Sequence, residues 1–437
     1  MSPLVIAILM IAMVILLVFI GVHIGFSLLV GSILGLWLIM GDFYTAAGIL
    51  AEGPFYVVFD YGLAVIPLFV LMGLFSNLSG ASSDLYQAGF AWFGRLRGGL
   101  GIVTVISNAI FAAVTGVSIA SAAVFSKVAI PQMLRYGYAA KFSVGCVAGS
   151  SALGMLIPPS LIFIVFGLLA NESIGSLFIA GVIPGILLTV NYSVMILLIA
   201  WLRPKILGKP ILPEKMRWRD RFKSLYQAAS VLALATLVLG GMYGGFFTPT
   251  EAGAVGCSGA LILTFFKGNL SIKALHDTLM DAGATTASVF LLFIGAQLFG
   301  RMLSVSGIIV ALSKSITSLP VSPLLIIAGM LFVIILMGTF LDVVSMLVIA
   351  MPIFLPIVQD LGFSLIWFGV LVALAIETGL VTPPFGMAVF VVKGAVGDLI
   401  SVEDIYRGSF PFLLVMIITM GILLFVPSLS TWLPGIM

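Results

Sequence analysis

Apolar residues in this chain come in long runs rather than in the short alternations of a soluble core. A helix needs about 20 apolar residues to cross roughly 30 Å of hydrocarbon. Measured that way, the first half divides into segments 3–20, 24–40, 55–78, 98–134, 141–170 and 177–202. The second half gives 228–243, 250–266, 282–303, 322–358, 363–396 and 409–429. The pattern predicts ten crossings and two longer regions, 98–134 and 322–358, whose middles are too polar for plain pairs of spans. The stretch from Met1 to Gly21 has no Lys or Arg ahead of it, unlike the basic start of a cleaved signal peptide. It is expected to be a retained first span.

Composition agrees and narrows the class. The chain is 62% hydrophobic and 8% charged, with a mean hydropathy of +1.31. Ordinary soluble domains carry about 25% charged residues, so lipid rather than water must cover this surface. A net charge of +3 gives no reason to expect nucleic acid. The two cysteines, Cys146 and Cys257, sit in apolar segments at a spacing that fits neither a metal site nor a disulfide framework.

Residues 203–223 form the one substantial polar stretch, with Arg203, Lys205, Lys209, Lys215, Arg217, Arg219, Arg221 and Lys223 against Glu214 and Asp220. The excess of basic residues predicts a cytoplasmic linker, 203–224. If regions 98–134 and 322–358 are re-entrant hairpins, Arg95, Arg97, Arg135, Lys141, Lys267, Lys273, Lys393 and Arg407 share its side. Sixteen of the nineteen basic residues then lie on one face, leaving Lys127, Arg301 and Lys314. Ordinary span pairs would give the same parity. Either way the two long regions enter from opposite faces, and both termini are expected outside.

The halves also resemble one another. At an offset of 225, Gly31, Pro131, Gly137 and Gly154 match Gly256, Pro356, Gly362 and Gly379, and Pro158-Pro159 matches Pro383-Pro384. At 227, Gly73, Ser79, Gly80, Gly181 and Pro184 match Gly300, Ser306, Gly307, Gly408 and Pro411. With the charge map, this predicts inverted repeats, 1–202 and 225–437. Each would carry scaffold helices, a hairpin (98–134 or 322–358) and a broken helix (141–170 or 363–397). Interrupted hydrophobic segments at matching places in inverted repeats mark the binding sites of secondary transporters.

Four interruptions follow: hairpin tips at 112–118 and 337–342, and breaks at 149–160 and 377–384. A proline inside a helix removes a hydrogen bond and clashes with the preceding turn. Unwound backbone at membrane depth survives only buried in protein or beside a watery cavity. Freed carbonyls and Thr hydroxyls suit a hard cation, and half-helix N-termini suit a carboxylate. A plain structural kink is the alternative for any single Pro-Pro. Asp342 and Glu377 are carboxylates near mid-membrane, which are costly and therefore functional candidates. Asp342 could bind a cation, take a proton or cap a helix, and Glu377 could face a polar scaffold contact. Lys127 and Arg301 are expected to snorkel, and His23 and His276 to be interfacial.

Residues 244–256, Gly-Gly-Phe-Phe-Thr-Pro-Thr-Glu-Ala-Gly-Ala-Val-Gly, resemble the signature of the large membrane subunit of TRAP (tripartite ATP-independent periplasmic) transporters. The breaks at 149–160 and 377–384 look like that family's two broken helices. The resemblance implies an all-α inverted-repeat elevator transporter of the bacterial inner membrane, with sodium as coupling ion and no other cofactor. It implies a small membrane subunit, a periplasmic substrate-binding protein and a carboxylate-bearing substrate as partners. Carried over residue by residue, a first sodium site would use Thr115, Ser118, Gly154, Ile157 and Pro159. A second would use Gly338, Thr339, Gly379 and Thr382. Ser150, Ser151, Asp342, Glu377 and Thr378 are the candidate substrate-binding groups. The alternative is a stand-alone sodium–anion symporter of the same fold. Ser107-Asn108-Ala109 departs from the Ser-Asn-Thr of the related divalent-anion symporters, which counts against it. No paired-aspartate, zinc or Ser/His constellation points to an enzyme, and no Gly-x-x-x-x-Gly-Lys-Ser/Thr motif points to ATP.

Overall fold

The computed structural model describes residues 1–209, 211 and 216–436. The first half runs α1 (Pro3–Phe19), α2 (Ile24–Met40), α3 (Phe43–Ala51), α4 (Gly53–Phe59), α5 (Val65–Leu78) and α6 (Ala81–Phe93). It continues with α7 (Gly99–Thr115), α8 (Ser118–Arg135), α9 (Ala140–Ser150), α10 (Leu153–Leu156), α11 (Leu161–Ala170), α12 (Ile174–Leu202) and α13 (Pro204–Leu207). The second half holds α14 (Trp218–Tyr243), α15 (Pro249–Phe266), α16 (Ile272–Ser306), α17 (Ile308–Thr317), α18 (Pro323–Gly338) and α19 (Val343–Asp360). After them come α20 (Leu365–Val381), α21 (Met387–Val396), α22 (Val402–Phe425) and α23 (Ser428–Gly435). Helices account for most of the described residues, and the fold is the all-α membrane architecture expected.

Both long regions fold back on themselves. The Tyr138 hydroxyl, just past α8, meets the Leu100 N–H at the start of α7 at 3.4 Å, so the two ends of the α7–α8 pair lie together. In the second pair, Asp360 at the end of α19 accepts from Ser313, ten residues before α18 begins. The first Pro-Pro segment divides into α9, α10 and α11, with a bend of 41°. The second separates α20 from α21. Six helices are long and apolar enough to cross a membrane alone among the described residues, seven if the bent pair counts as one span.

Around these pieces, α16 lies along α2 and α5 along α15, while α1 and α14 flank them. The hairpins and broken helices pack mainly with one another and with α12 and α22. The signature segment has a packing role here. Thr248 caps α15 and exchanges hydrogen bonds with Glu251 in a capping box (2.8 and 3.3 Å), and Pro249 takes the first helical position. A Cβ on Gly256 would fall 2.3 Å from Met72 Sδ of α5, so the glycine lets α15 seat against its neighbour.

Several expected boundaries differ. Segment 55–78 is interrupted at Asp60, which accepts from the Gly62 N–H at 2.8 Å and starts a new turn. The amphipathic helices α6 and α17 fall in stretches too polar to count as spans. The linker 203–224 is partly helical: α13 lies inside it and α14 begins at Trp218. Part of the linker is pinned to the end of the first hairpin. The Ala139 N–H donates to Leu207 O (2.7 Å), and those of Lys209 and Ile211 donate to Gly137 O (3.0 Å) and Tyr136 O (2.8 Å). Arg135, Lys141 and the linker therefore share one face, as the charge pattern required. Asp84–Lys267 and Asp404–Lys141 pairs stand among the same groups.

The α9–α22 crossing brings two backbones together. A Cβ on Gly145 would fall 2.0 Å from the Gly408 carbonyl carbon, and one on Gly408 1.9 Å from Lys141 O. Those contacts are backbone and cannot swing aside. Gly145→Ala and Gly408→Ala should each cost about 1–3 kcal/mol by overpacking, read as a fall of several degrees in detergent-solubilised thermal stability. Gly283→Ala, on an open stretch of α16 with nothing within 4 Å, should be neutral or slightly stabilising.

Candidate functional site

Each hairpin tip rests on a broken helix. In the first half the tip is Gly116-Val117, between α7 and α8. The Leu161 N–H opening α11 donates to Gly116 O at 3.2 Å. A Cβ on Gly116, where φ is +64°, would fall 2.7 Å from Pro159 O, and one on Gly154 would fall 2.8 Å from Ser118 Cα. Glycine is what permits this approach. Thr115, Ser118, Gly154, Ile157 and Pro159 are thus gathered at one locus. Thr115 Oγ1 donates to Phe111 O (2.9 Å), which leaves its lone pairs available, whereas Ser118 Oγ is buried without a partner.

In the second half Gly338 and Gly379 face each other. A Cβ on Gly379 would fall 2.7 Å from Gly338 Cα and 2.7 Å from Ile335 O. Thr339 Oγ1 donates to Leu336 O (2.8 Å) and Thr382 Oγ1 to Thr378 O (2.7 Å). A hydroxyl that donates backward along its own helix still presents acceptor lone pairs to a cation. Both Pro-Pro bonds, 158–159 and 383–384, are cis. Helix ends at these breaks leave carbonyls and N–H groups without partners in their own helix. The arrangement can therefore offer hard oxygens at two places.

The candidate substrate groups are less alike than the sequence suggests. Asp342 is the N-cap of α19, accepting from the Val344 and Ser345 N–H groups at 3.1 Å each and from the Ser345 hydroxyl. Its capping role is realised, and its carboxylate already occupies that helix start. Ser160 likewise caps α11. The starts of α8 and α21 carry no side-chain cap, and these two helices pack together. Two of the four half-helix starts are therefore free of a side-chain cap. Ser150, Ser151, Glu377 and Thr378 are all at most 1% exposed. Ser150 Oγ donates to Cys146 O (2.6 Å), Ser151 Oγ to Ala148 O (2.8 Å) and Thr378 Oγ1 to Leu374 O (2.6 Å). Glu377 makes no hydrogen bond or ion pair to the scaffold among the described residues, and its Oε1 has no partner. Pro383, Pro384 and Phe385 are exposed, as is Phe340 at the second tip, while Pro158, Pro159 and Ser160 are buried. The second locus is the open one.

Other residues brace the site without having been singled out. Asn108 Nδ2 donates to Ser150 Oγ at 2.7 Å, tying the first hairpin to its broken helix. Tyr192 of α12 donates to Gly149 O (3.1 Å), and Tyr406 of α22 donates to Pro384 O (2.9 Å). An asparagine or tyrosine inside an apolar run was the only available signal. Arg301 donates to Ile49 O at 3.2 Å instead of reaching free to the interface, while Lys127 is exposed. No group of three His, Cys, Asp or Glu side chains suited to a metal occurs among the described residues.

The chain is similar to known proteins in sequence and in fold. Residues 11–429 match the family described as "Tripartite ATP-independent periplasmic transporter, DctM component". The chain is 32% identical over 376 residues to the C4-dicarboxylate TRAP transporter large permease protein DctM of Pseudomonas aeruginosa, covering 86% of each chain. It is 30% identical over 420 residues to the sialic acid TRAP transporter permease protein SiaT of Haemophilus influenzae, covering 96% of this chain and 67% of that one. In fold it is similar to MtrF of Neisseria gonorrhoeae, described in its structure report as illuminating a class of antimetabolite efflux pumps. The TM-score is 0.64 at 11% identity, covering 98% and 95% of the two chains. The chain is a multi-pass protein of the bacterial inner membrane and a transporter component, not an enzyme. It belongs to the DctM family of TRAP transporter large permeases.

Proposed function

We propose that this chain is the large permease of a sodium-coupled importer of a carboxylate-bearing solute. A periplasmic binding protein delivers the solute, and a small membrane subunit completes the complex. The observation that carries the reading is the matched seating of both hairpin tips on helix breaks, Ser118 on Gly154 and Gly338 on Gly379. Each seat surrounds backbone and hydroxyl oxygens with protein at membrane depth, which is where coupling cations bind in inverted-repeat transporters. C4-dicarboxylate and sialic acid, named for the two relatives, are both carboxylic acids, and the uncapped starts of α8 and α21 suit such a group. The halves 1–202 and 225–437 are read as inverted repeats, with the hairpins, broken helices, α12 and α22 as the body that moves past α1, α2, α5 and α14–α16.

Four measurements test this. Thr382→Ala removes one oxygen among several and should raise the sodium concentration for half-maximal uptake about two- to tenfold, roughly 0.4–1.4 kcal/mol. Gly379→Val drives bulk into the Gly338 backbone and should abolish sodium-driven uptake in protein that still reaches the membrane. Unchanged sodium dependence in both variants refutes the cation sites. In a background lacking Cys146 and Cys257, cysteines at Lys209 and Lys273 should react only from the cytoplasm, and those at Glu172 and Gln359 only from outside. Labelling of all four from one side ends the inverted-repeat reading. In proteoliposomes under an inward sodium gradient, the chain alone should take up little free solute, and the small subunit with loaded binding protein should restore uptake. Robust uptake by the chain alone would favour the stand-alone symporter.

A further inference from the structure

On the face that carries the linker, a cavity of about 410 Å³ opens between the start of the first hairpin and the end of α12. Leu96, Arg97, Tyr138, Trp201, Leu207 and Ile211 line it. Its linker wall is held in place, because Leu207 O accepts the Ala139 N–H and the Ile211 N–H donates to Tyr136 O. The charge around it is of one sign. Arg97 is exposed in the lining, and among the described residues no Asp or Glu lines the cavity. Arg95 and Arg203 adjoin lining positions, and none of the three arginines joins an ion pair among the described residues. Gly98, the N-cap of α7, also borders the cavity, and no side chain caps that helix start. Such a start carries partial positive charge. Tyr138, 5% exposed, accepts the Leu100 N–H there and gives its own hydroxyl proton to no acceptor among the described residues. A guanidinium, a helix start and a spare hydroxyl donor together suit an oxyanion such as a phosphate.

The walls decide which phosphate. Trp201 is 72% exposed and ends an apolar helix on which Leu197, Leu198 and Leu202 are exposed too. One wall of the cavity is thus continuous with a surface suited to lipid chains. Just before the turn that holds Arg97, the exposed rings of Trp92, Trp218 and Phe222 gather, with centroids 6.2, 6.0 and 6.3 Å apart. Tryptophans collect at the headgroup level of a bilayer, so the cavity lies at that level. The basic excess of this face points it to the cytoplasm, where leaflets are anionic and basic pockets between helices take lipid headgroups. A soluble phosphate would leave the apolar walls unused. We propose that the cavity holds an anionic phospholipid, its phosphate on Arg97 and Tyr138 and an acyl chain along Trp201, which fastens the linker to the first hairpin.

The test is retention of radiolabelled phosphatidylglycerol by the full chain purified in detergent, with phosphatidylcholine of the same acyl chains as competitor. The wild type should prefer phosphatidylglycerol. Arg97→Gln should weaken that binding about tenfold, roughly 1.4 kcal/mol, and Arg219→Gln, on the same face but outside the lining, by less than about twofold. No preference in the wild type, or equal losses in R97Q and R219Q, overturns the site, the second result reducing it to diffuse surface charge. Displacement of the labelled lipid by millimolar inorganic phosphate also overturns it, by assigning the cavity to a soluble anion. If R97Q does not yield monodisperse protein, Ile211→Asp decides, since Ile211 is 66% exposed and the change sets a negative charge beside the phosphate. Loss of the preference in I211D supports the site, and an unchanged preference overturns it.

Discussion

Peptide groups at membrane depth have no water to satisfy them, and the rest of this structure follows from that constraint. A helix satisfies its own backbone, so any deliberate break must be enclosed by protein. Here the enclosure is reciprocal. The broken helix α9–α11 receives the tip of the first hairpin, whose Gly116 carbonyl accepts the Leu161 N–H. Gly338 and Gly379 bring the second tip and break to backbone contact. Each break here is covered by another discontinuous element, the tip of the matching hairpin.

The same constraint explains the external supports. Tyr192 and Tyr406 reach from α12 and α22 to carbonyls beside the two breaks, at Gly149 and Pro384. The α9–α22 crossing at Gly145 and Gly408 brings one of those supporting helices to backbone distance. The body formed by hairpins and breaks is therefore held by backbone contact and short polar links. The α5–α15 and α2–α16 pairs are drawn close in the same way: a Cβ on Gly295 would fall 2.9 Å from Gly25 O, and Thr264 Oγ1 donates to Phe75 O at 2.9 Å.

Some of this was legible in the sequence and some was not. Prolines and glycines are local causes, so the breaks at 158–159 and 383–384 and the hairpin tips could be placed from their residues alone. The capping box at Thr248 and the N-cap at Asp342 are also local. Tertiary partners were not legible: nothing in the sequence says that Asn108 meets Ser150, or that Tyr192 reaches Gly149 O. The helices α6 and α17 were missed because a ruler set to membrane thickness passes over short amphipathic segments. The interruption at Asp60 was hidden because one polar residue barely lowers the mean of an apolar run. Which helix starts are capped was not legible, since that depends on side-chain geometry.

The signature at 244–256 begins a helix and seats it on a neighbour: Thr248 and Glu251 close the cap, and Gly256 makes room for Met72. None of these residues lies at the hairpin tips or the breaks. The stretch that resembles the family's signature is thus part of the frame, away from both hairpin tips and both breaks. Two permeases could share it letter for letter and still move different acids.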